Sequence, residues 1–344
     1  MNHPPAPATA IALEEALSSP TDYVVTAISQ LKGDILILGA GGKMGPSLSV
    51  MAKRASEKAG VNRRVMAASR FSSSEARDYL TQKGVQTFAC DFMKPGALNE
   101  LPDAANIVYM AGMKFGATQQ LGRTWAMNAW LPGAVCSRFP SSRIAVFSTG
   151  NIYGLVPVSS GGSKEEDPPK PQGEYAMSTL GRERIFEHFS IEQKMPQSII
   201  RLNYACDLRY GVLVDIACKV LEEKPDSREM GYRNTIWQGD ANAQALASLA
   251  HTATPPLVIN VTGSRMLRVR NIAERLGELF GKPPVFEGTE ATDALLSNNA
   301  CAAALFGPPQ VDEDQLIHWV ADWLLQGGTI LNKPTHFESR DGRF

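Results

Sequence analysis

Short apolar runs alternate with longer stretches of helical spacing from Asp34 to Leu202. The run at 34–38 is apolar and bounded by glycine, which is typical of a buried strand, and further strands are predicted at 65–68, 85–89, 107–111, 144–148 and 197–202. The stretches between them predict helices, at 46–59, 74–83, 119–136 and 175–193, the third interrupted by Pro132. Strands that alternate with helices form parallel βαβ units, so the sequence predicts an α/β fold with a doubly wound parallel sheet.

The alternation loosens after residue 203. Helical spacing continues at 211–223, 269–280 and 312–325, with one short apolar run at 258–261. We therefore expect a domain over residues 33–203, to which 233–262 returns, and a smaller C-terminal α/β region over 204–232 and 263–344. Residues 1–32 carry two short helical patterns split by Ser-Ser-Pro at 18–20, and we expect an N-terminal extension that packs on the surface.

Composition and charge exclude several classes of protein. Of the 344 residues, 44% are hydrophobic and 20% are charged, which is ordinary for a globular chain. The formal charge of −1 points to neither a nucleic acid nor a membrane surface as partner. Five dispersed cysteines without a CxxC pair indicate reduced thiols and a cytoplasmic protein. Five histidines without HxH or HExxH spacing predict no metal site.

A glycine-rich turn, Gly39-Ala-Gly-Gly-Lys-Met-Gly45, follows the first predicted strand and opens the helix at 46–59. Bare backbone at a helix N-terminus lets a diphosphate reach main-chain amides, and the helix dipole favours its negative charge. The turn therefore predicts a Rossmann-type dinucleotide site, with a purely structural turn as the alternative. Its predicted cofactor-binding residues are Gly39, Gly41, Gly42, Lys43, Met44 and Gly45.

The end of the second predicted strand bears on the choice between NAD and NADP. An acidic residue there would accept hydrogen bonds from the ribose hydroxyls, but this chain has Ser69 and Arg70, with Arg63 and Arg64 just upstream. Arginine pairs with a 2′-phosphate and stacks on adenine, so we expect NADP, with NAD as the alternative. Asp91, after the third strand, is either an acceptor for the adenine amino group or a turn residue.

Five further segments carry polar and aromatic residues along the rest of the chain. They are Ala-Gly-Met-Lys-Phe-Gly at 111–116, Ser-Thr-Gly-Asn-Ile-Tyr-Gly at 148–154, Glu-Tyr-Ala-Met-Ser at 174–178, Arg-Leu-Asn-Tyr at 201–204 and Arg-Asn-Thr-Ile-Trp-Gln-Gly-Asp at 233–240. In order and spacing they resemble the motifs of the extended short-chain dehydrogenase/reductases, the NAD-dependent epimerase/dehydratase family. The resemblance runs from about residue 33 to residue 330.

This resemblance implies hydride transfer to or from a nicotinamide, coupled to proton transfer at the substrate oxygen. Tyr175 would be the acid/base, and Thr149 would hydrogen-bond the same oxygen. The alternatives are an exposed aromatic at a helix start for Tyr175 and a strand-end cap for Thr149. The resemblance also implies further cofactor contacts, at Ala111, Gly112, Met113, Asn128 and Asn203.

One position departs from the family pattern. A tyrosine has an ordinary pKa of about 10, so it needs a nearby cation to act as a base at neutral pH. The family supplies a lysine four residues after the tyrosine, where this chain has Thr179. Lys114 or Arg182 could supply the charge, the oxidised nicotinamide could supply it, or the chain could bind cofactor without turnover. We take Lys114 as the third catalytic candidate, with a plain surface charge as its alternative.

The predicted substrate-binding residues are Asn151, Tyr204 and Arg233, the last aligned with an arginine that many sugar-nucleotide enzymes of the family use on a phosphate or ribose. A structural ion pair is the alternative for Arg233. We therefore predict an NAD(P)-dependent oxidoreductase acting on a secondary hydroxyl or ketone of a sugar or sugar-acid-like substrate. We expect the smaller C-terminal region to bind this substrate. The alternatives are an epimerase or dehydratase that recycles the hydride and a non-catalytic NAD(P)-binding sensor. Members of the family often dimerise through two long helices, so the resemblance implies a homodimer.

Overall fold

Parallel strands form the centre of the fold in the computed structural model, which describes residues 4–333 and 335–343. The strands, in chain order, are β1 (Ile35–Leu38), β2 (Val65–Ser69), β3 (Gln86–Ala89), β4 (Asn106–Tyr109), β5 (Arg143–Thr149), β6 (Val156–Pro157), β7 (Gln197–Leu202), β8 (Ala205–Cys206), β9 (Pro225–Ser227), β10 (Tyr232–Arg233), β11 (Ile236–Trp237), β12 (Leu257–Val261), β13 (Leu267–Arg268), β14 (Val285–Glu287) and β15 (Asp293–Ala294).

Seven of these strands build one sheet in the order β12-β7-β5-β4-β1-β2-β3, with every neighbouring pair parallel. The chain winds outward in one direction from β1 to β3 and in the other from β4 to β12. The order therefore reverses between β1 and β4, and in open α/β sheets ligands bind in the crevice at the carboxyl ends of the strands flanking such a point. The predicted doubly wound α/β fold is confirmed.

Some helices cover the two faces of this sheet, and others build a separate, smaller core. In chain order they are α1 (Ala10–Leu17), α2 (Asp22–Gln30), α3 (Gly45–Lys58), α4 (Ser74–Gln82), α5 (Leu121–Trp125), α6 (Leu131–Arg138), α7 (Gly173–Gln193), α8 (Val212–Leu221), α9 (Gln238–Ala247), α10 (Val269–Phe280), α11 (Ala300–Phe306) and α12 (Glu313–Leu325). A π-helical turn at Ala126–Trp130 joins α5 to α6, next to the predicted interruption at Pro132. Four short 3₁₀ segments complete the set, at Ala97–Glu100, Gly150–Tyr153, Val158–Ser160 and Ser248–His251.

Strand β1 shows how the two layers share the core. Ile35 and Ile37 pack into the cluster that includes residues of α2, α3 and α9, whereas Leu36 and Leu38 pack into the cluster with α6 and α7. Successive side chains of a strand point to opposite faces, so a strand buried on both sides must be apolar throughout. Helix α9 was not predicted, because all of its residues are buried and the helix therefore has no polar face to give it a period.

The prediction that the N-terminal extension packs on the surface is wrong. Leu13 and Leu17 of α1 have no exposed surface and lie in the core of the smaller C-terminal lobe, formed mainly by α8, α10 and α12. Val24 and Ile28 of α2 are equally buried in the core beside the large sheet. Two short helices, each with apolar residues three or four positions apart, bury that stripe wherever a core is available.

Candidate active site

The glycine-rich turn lies at the crevice between β1 and β4. Gly39 has φ +93°, and a Cβ atom there would lie 2.6 Å from the backbone nitrogen of Ala111, which follows β4. A Cβ on Gly45 would lie 2.3 Å from the carbonyl oxygen of Ala40. Only glycine fits both places, because one needs a left-handed backbone and both need close backbone approach. By contrast, a Cβ on Gly42 would meet only one atom, at 3.5 Å, so the turn leaves open space there at the start of α3.

One cavity, of about 220 Å³, opens on the far side of the turn beside β2 and β3. Of the predicted cofactor-binding residues it is lined by Gly39, Gly41, Gly42, Ser69, Arg70, Asp91, Ala111 and Gly112. Asp91 also accepts a hydrogen bond from the backbone N–H of Met93 at 3.2 Å. It therefore lines the cavity and stabilises a turn at the same time, which leaves both sequence-based interpretations open.

The two other arginines near β2 do not reach this cavity. Arg63 is buried and donates to the carbonyl oxygens of Ile28 and Leu31 at 3.0 and 2.6 Å, which ties the end of α2 to the sheet. Arg64 pairs with Asp34 at 2.7 Å. Arg70 is therefore the arginine of this group that is placed to meet a ligand.

A larger cleft, of about 700 Å³, extends from the same turn toward the C-terminal lobe. It brings together predicted residues from distant parts of the chain: Gly39, Gly41, Gly42, Lys43, Met44, Gly45, Lys114, Thr149, Asn151, Tyr175, Asn203 and Tyr204. Thr149 ends β5, and its hydroxyl accepts from the backbone N–H of Asn151 at 3.2 Å. Tyr175 lies in the first turn of α7. The carboxyl ends of the parallel strands and the start of one helix thus converge on one space.

Thr179, which stands in place of the family's lysine, faces away from this chemistry. It is fully buried, and its hydroxyl donates to the carbonyl oxygen of Tyr175 one helical turn earlier, at 2.8 Å. A hydroxyl that is bonded to its own helix cannot act on the phenol.

Arg182 is also committed elsewhere. Its Nη1 donates to the carbonyl oxygen of Phe147 at 2.7 Å, and its Nη2 donates to Oδ1 of Asn128 at 2.8 Å. The guanidinium lies against the backbone of Gly112, where a Cβ would be 2.3 Å from Nη2. Arg182 therefore braces the loop after β4 from behind.

Lys114 is the cation that the structure places beside Tyr175. Its Nζ lies 5.8 Å from the centre of the Tyr175 ring and 5.5 Å from that of Phe115. Burial lowers the pKa of Lys114 to about 8, because an ammonium loses hydration in the cleft. A lysine with this pKa still carries its charge in most molecules at neutral pH.

Asn128 holds the loop that carries Lys114 and does not line the described cavities. It lies in the π-helical turn, fully buried, and its side chain bonds both to the backbone nitrogen and to the carbonyl oxygen of Met113, at 2.8 and 2.9 Å. Its amide also donates to Oγ of Ser178 at 3.0 Å. Neither Asn128 nor Met113 lines the described cavities, and the direct cofactor contacts predicted for them stay predictions.

A buried ion pair supports the opposite wall. Arg201 of β7 and Glu183 of α7 pair at 2.9 Å, with side-chain exposures of 6% and 2%. Glu183 also accepts from the Ser148 hydroxyl, and Arg201 donates to the Tyr153 hydroxyl at 2.6 Å. The network joins α7 to the ends of β5 and β7, so it fixes the helix that presents Tyr175 against the strand that presents Thr149.

The cleft also contains residues that sequence reasoning missed. Tyr210, on the turn after β8, lies under Lys43, whose Nζ is 4.0 Å from the ring centre. Arg209 lines the cleft as well and pairs with Glu14 of α1 at 2.7 Å. No local pattern marks these positions, because a short strand and an N-terminal helix carry them in from elsewhere in the fold.

Lys43 itself lies in the glycine-rich turn with a buried Nζ that has no hydrogen-bond partner among the described residues. Burial lowers the pKa of this ammonium. A buried cation without an acceptor, next to open space at a helix N-terminus, suits a site that receives an anionic group. The residues present therefore fit a dinucleotide diphosphate.

Arg233 does not line the described cavities. It is fully buried in β10, and its guanidinium lies 4.0 Å from the ring centre of Phe337 and 5.9 Å from that of Tyr204. Its Nη2 donates to the carbonyl oxygen of Met230 at 3.1 Å, but Nε and Nη1 have no acceptor among the described residues. The predicted substrate contact is thus shut off from the cleft in this structure.

Comparison with known proteins identifies the family. Residues 35–205 match the model described as the NAD dependent epimerase/dehydratase family. The segment 35–205 belongs to this family. The family match covers six of the seven strands of the large sheet, all but β12, and includes the glycine-rich turn, Thr149 and Tyr175. The predicted family resemblance is confirmed, and with it the assignment of the chain as an enzyme of the epimerase/dehydratase type. No curated protein matches the sequence of this family member.

Solved structures share the fold of this epimerase/dehydratase-family chain. UDP-glucuronic acid 4-epimerase from Bacillus cereus, in complex with UDP-glucuronic acid and NAD, is 18% identical with a TM-score of 0.70, covering 85% of this chain and 99% of that one. UDP-glucose 4-epimerase from Thermotoga maritima, with UDP-glucose, is 15% identical with a TM-score of 0.70, covering 86% and 99%. UDP-glucose 4-epimerase from Thermus thermophilus, with NAD, is 18% identical with a TM-score of 0.66, covering 84% and 98%.

The described part of the chain offers neither a membrane span nor a metal cluster. Between residues 4 and 343, Pro334 aside, the helices are too short or too polar to cross a membrane. Within the same residues, histidine, cysteine, aspartate and glutamate side chains form no group of three or more that could hold a metal ion.

Proposed function

We propose that the chain is an NAD(P)-dependent oxidoreductase acting on a secondary hydroxyl or ketone of a sugar-like substrate. One observation carries the proposal: Tyr175, Thr149 and Lys114 line the cleft into which the glycine-rich turn opens. A nicotinamide bound there would accept or return a hydride at the substrate carbon. The chain itself must then bind the substrate oxygen and move its proton.

The side chains divide this work. The Tyr175 phenol exchanges the proton of the substrate hydroxyl, and the Thr149 hydroxyl holds the same oxygen. The Lys114 ammonium stabilises the phenolate form of Tyr175, the task that the family gives to the lysine missing at Thr179. Asn128 and Arg182 position the loop that carries Lys114, through bonds to Met113 and to one another.

For the cofactor we propose NADP, on the chemistry of Arg70. Its exposed guanidinium lines the cavity beside β2, next to Ser69, and β2 ends without a carboxylate. A 2′-phosphate offers an arginine a charge-assisted pair, whereas a 2′-hydroxyl does not. The Bacillus and Thermus structures named above contain NAD, so NAD is the direct competitor in binding measurements.

A homodimer remains a proposal as well. Trp125 and Trp130 are 40% and 59% exposed beside α6 and α7, and Met177 and Ile191 of α7 are 38% and 49% exposed. Large apolar side chains on neighbouring helices favour burial against a second copy. Sedimentation equilibrium of the wild-type chain and of a Trp130→Glu variant would test the pairing, and a wild-type chain that stays monomeric would exclude it.

The reaction is tested by separating net oxidation from recycling. The chain is incubated with NAD or NADP and a panel of UDP-glucose, UDP-glucuronic acid, D-glucuronate and polyols, and absorbance at 340 nm is followed together with product analysis. An oxidoreductase accumulates reduced cofactor in proportion to product. Product without reduced cofactor indicates the epimerase or dehydratase alternative, and tight cofactor binding without any product indicates the sensor alternative, which the Thr179 substitution favours.

A further inference from the structure

The C-terminal segment 335–343, here called the strap, crosses the substrate end of the cleft. At its start, the backbone N–H and the hydroxyl of Thr335 donate to Oδ2 of Asp215, at 2.9 and 2.6 Å. At its end, Gly342 lies against Gly173, the first residue of α7, where a Cβ would be 2.3 Å from the Gly342 carbonyl oxygen. The strap therefore joins the C-terminal lobe to the helix that presents Tyr175.

Ion pairs hold the middle of the strap. Glu338 pairs with Lys219 of α8, and Arg340 pairs with Asp293 of β15. Arg340 also donates to the carbonyl oxygen of Glu229 at 2.9 Å. These side chains are all partly exposed, so each ion pair is individually weak.

Phe337 is the buried anchor of the strap and lies over Arg233. Its side chain is 3% exposed, and the Arg233 guanidinium is 4.0 Å from its ring centre. An aromatic face offers a cation some attraction but accepts no conventional hydrogen bond from Nε or Nη1. Leaving such donors unpaired inside the protein is costly, so the closed arrangement leaves Arg233 short of an acceptor.

The residues that cover Arg233 all line one small cavity. Tyr204, Met230 and Phe337 line a cavity of about 30 Å³, together with Lys114 and Asn151 from the catalytic side. This space has room for about one water molecule. Because Phe337 is the cover that belongs to the strap, lifting the strap would enlarge the cavity and connect Arg233 to the cleft.

We propose that residues 335–343 are an autoinhibitory strap, and that the oxyanion of an incoming substrate displaces Phe337 to take the unpartnered N–H groups of Arg233. The inference rests on the proposed function, since it concerns the substrate end of the same cleft. A phosphate and a carboxylate share the required chemistry, and the probes below separate them. In the closed state the apparent affinity for such a ligand is reduced by the fraction of molecules that are open.

Binding of UDP and of D-glucuronate to the full chain, measured by titration calorimetry, tests the strap. Two variants loosen it by different means: Phe337→Ala removes the buried anchor, and Arg340→Asp breaks a partly exposed ion pair. We expect at least one probe to bind about tenfold tighter to both variants, the gain for a strap closed in roughly nine of ten molecules. The pair Arg340→Asp with Asp293→Arg restores opposite charges and should recover most of the wild-type affinity. Leu325→Ala, at an exposed site on α12, is the control and should change nothing.

A third substitution tests whether Arg233 is the residue that binds the probe. Arg233→Met, added to Phe337→Ala, should abolish the gain. In the wild-type chain, the binding probe should also speed tryptic cleavage after Arg340, because a displaced strap is accessible. The proposal is overturned by a probe that slows this cleavage, by a gain that survives Arg233→Met, or by probe binding that neither variant tightens. NAD and NADP titrations on the same samples keep the outcomes apart, since a chain that binds neither cofactor contradicts the proposed function whatever the strap does.

Discussion

The two halves of the cleft are built in different ways. On the dinucleotide side, glycine backbone and strand ends leave open space, and the residues that line it are set by the reversal of strand order between β1 and β4. On the substrate side, short strands and the strap bury Arg233, and its covering side chains line a space of about 30 Å³ beside the larger cleft. The first half is open, whereas Arg233 in the second half is covered.

The difference shows how a shared fold separates cofactor binding from substrate choice. A diphosphate needs bare backbone and a helix N-terminus, which a local turn provides. Recognition of a substrate needs side chains from several segments, and the side chains that line the larger cleft come from segments as distant as α1, the turn after β8 and the strap. Changes in the second group can therefore alter specificity while the cofactor site stays intact.

The largest expected effect lies where the two halves meet. Tyr175→Phe should lower kcat by about 10²–10⁴-fold, because the substrate proton loses its acceptor. Cofactor affinity should stay within about twofold, since the ring remains in place. Steady-state kinetics and cofactor titration measure both. Tyr210→Phe, a second tyrosine of the same cleft, is the control, and equal losses in the two variants would contradict the assignment of Tyr175.

The buried ion pair of Arg201 and Glu183 joins α7 to the ends of β5 and β7, and the next prediction concerns its contribution to stability. Arg201→Met should lower the free energy of unfolding by about 3–5 kcal/mol, because Glu183 would remain buried without its partner. Chemical denaturation measures the change. Arg184→Met, which breaks an exposed pair with Glu187 on the same helix, should cost about 1 kcal/mol or less. A similar cost for both variants would mean that Glu183 is solvated.

On the dinucleotide side of the cleft, Arg70 tests the preference for NADP over NAD. Arg70→Ala should weaken NADP binding by roughly 10–100-fold and leave NAD binding nearly unchanged, because a charge-assisted bond to the 2′-phosphate is lost. Fluorescence titration with each reduced cofactor measures the ratio. Arg64→Ala, whose partner is Asp34, serves as control. If Arg70→Ala weakened both cofactors equally, the preference for NADP would lose its basis.

The smallest effect concerns Lys114 and pH. Lys114→Met should lower kcat/KM by up to about tenfold, whereas Lys114→Arg should retain most activity. Burial lowers the pKa of Lys114 to about 8, so the ammonium is present below that pH and is lost above it. We therefore expect wild-type kcat/KM to decline above about pH 8 and the decline to move to higher pH in Lys114→Arg. An unchanged alkaline limb in that variant would exclude Lys114 as the relevant cation.

Much of the fold could be predicted because its signals are local. Strands β1 and β7 and helix α10 were predicted at or within one residue of their observed bounds from apolar runs and helical spacing alone. The glycine-rich turn could also be predicted, since only glycine fits at positions 39 and 45. Helix α9 and the burial of α1 and α2 were not, because they depend on which surfaces the folded chain brings against them.

The sequence by itself determined the order of strands and helices, the dinucleotide turn, and the presence of Tyr175 and Thr149 at elements that end on one edge of a sheet. Only the tertiary structure decided which cation lies beside Tyr175, since Lys114 and Arg182 were both candidates and hydrogen bonds draw Arg182 away. It also decided that Phe337 lies over Arg233. Local pattern specifies local structure, but contacts between residues far apart in the sequence depend on how the whole chain packs.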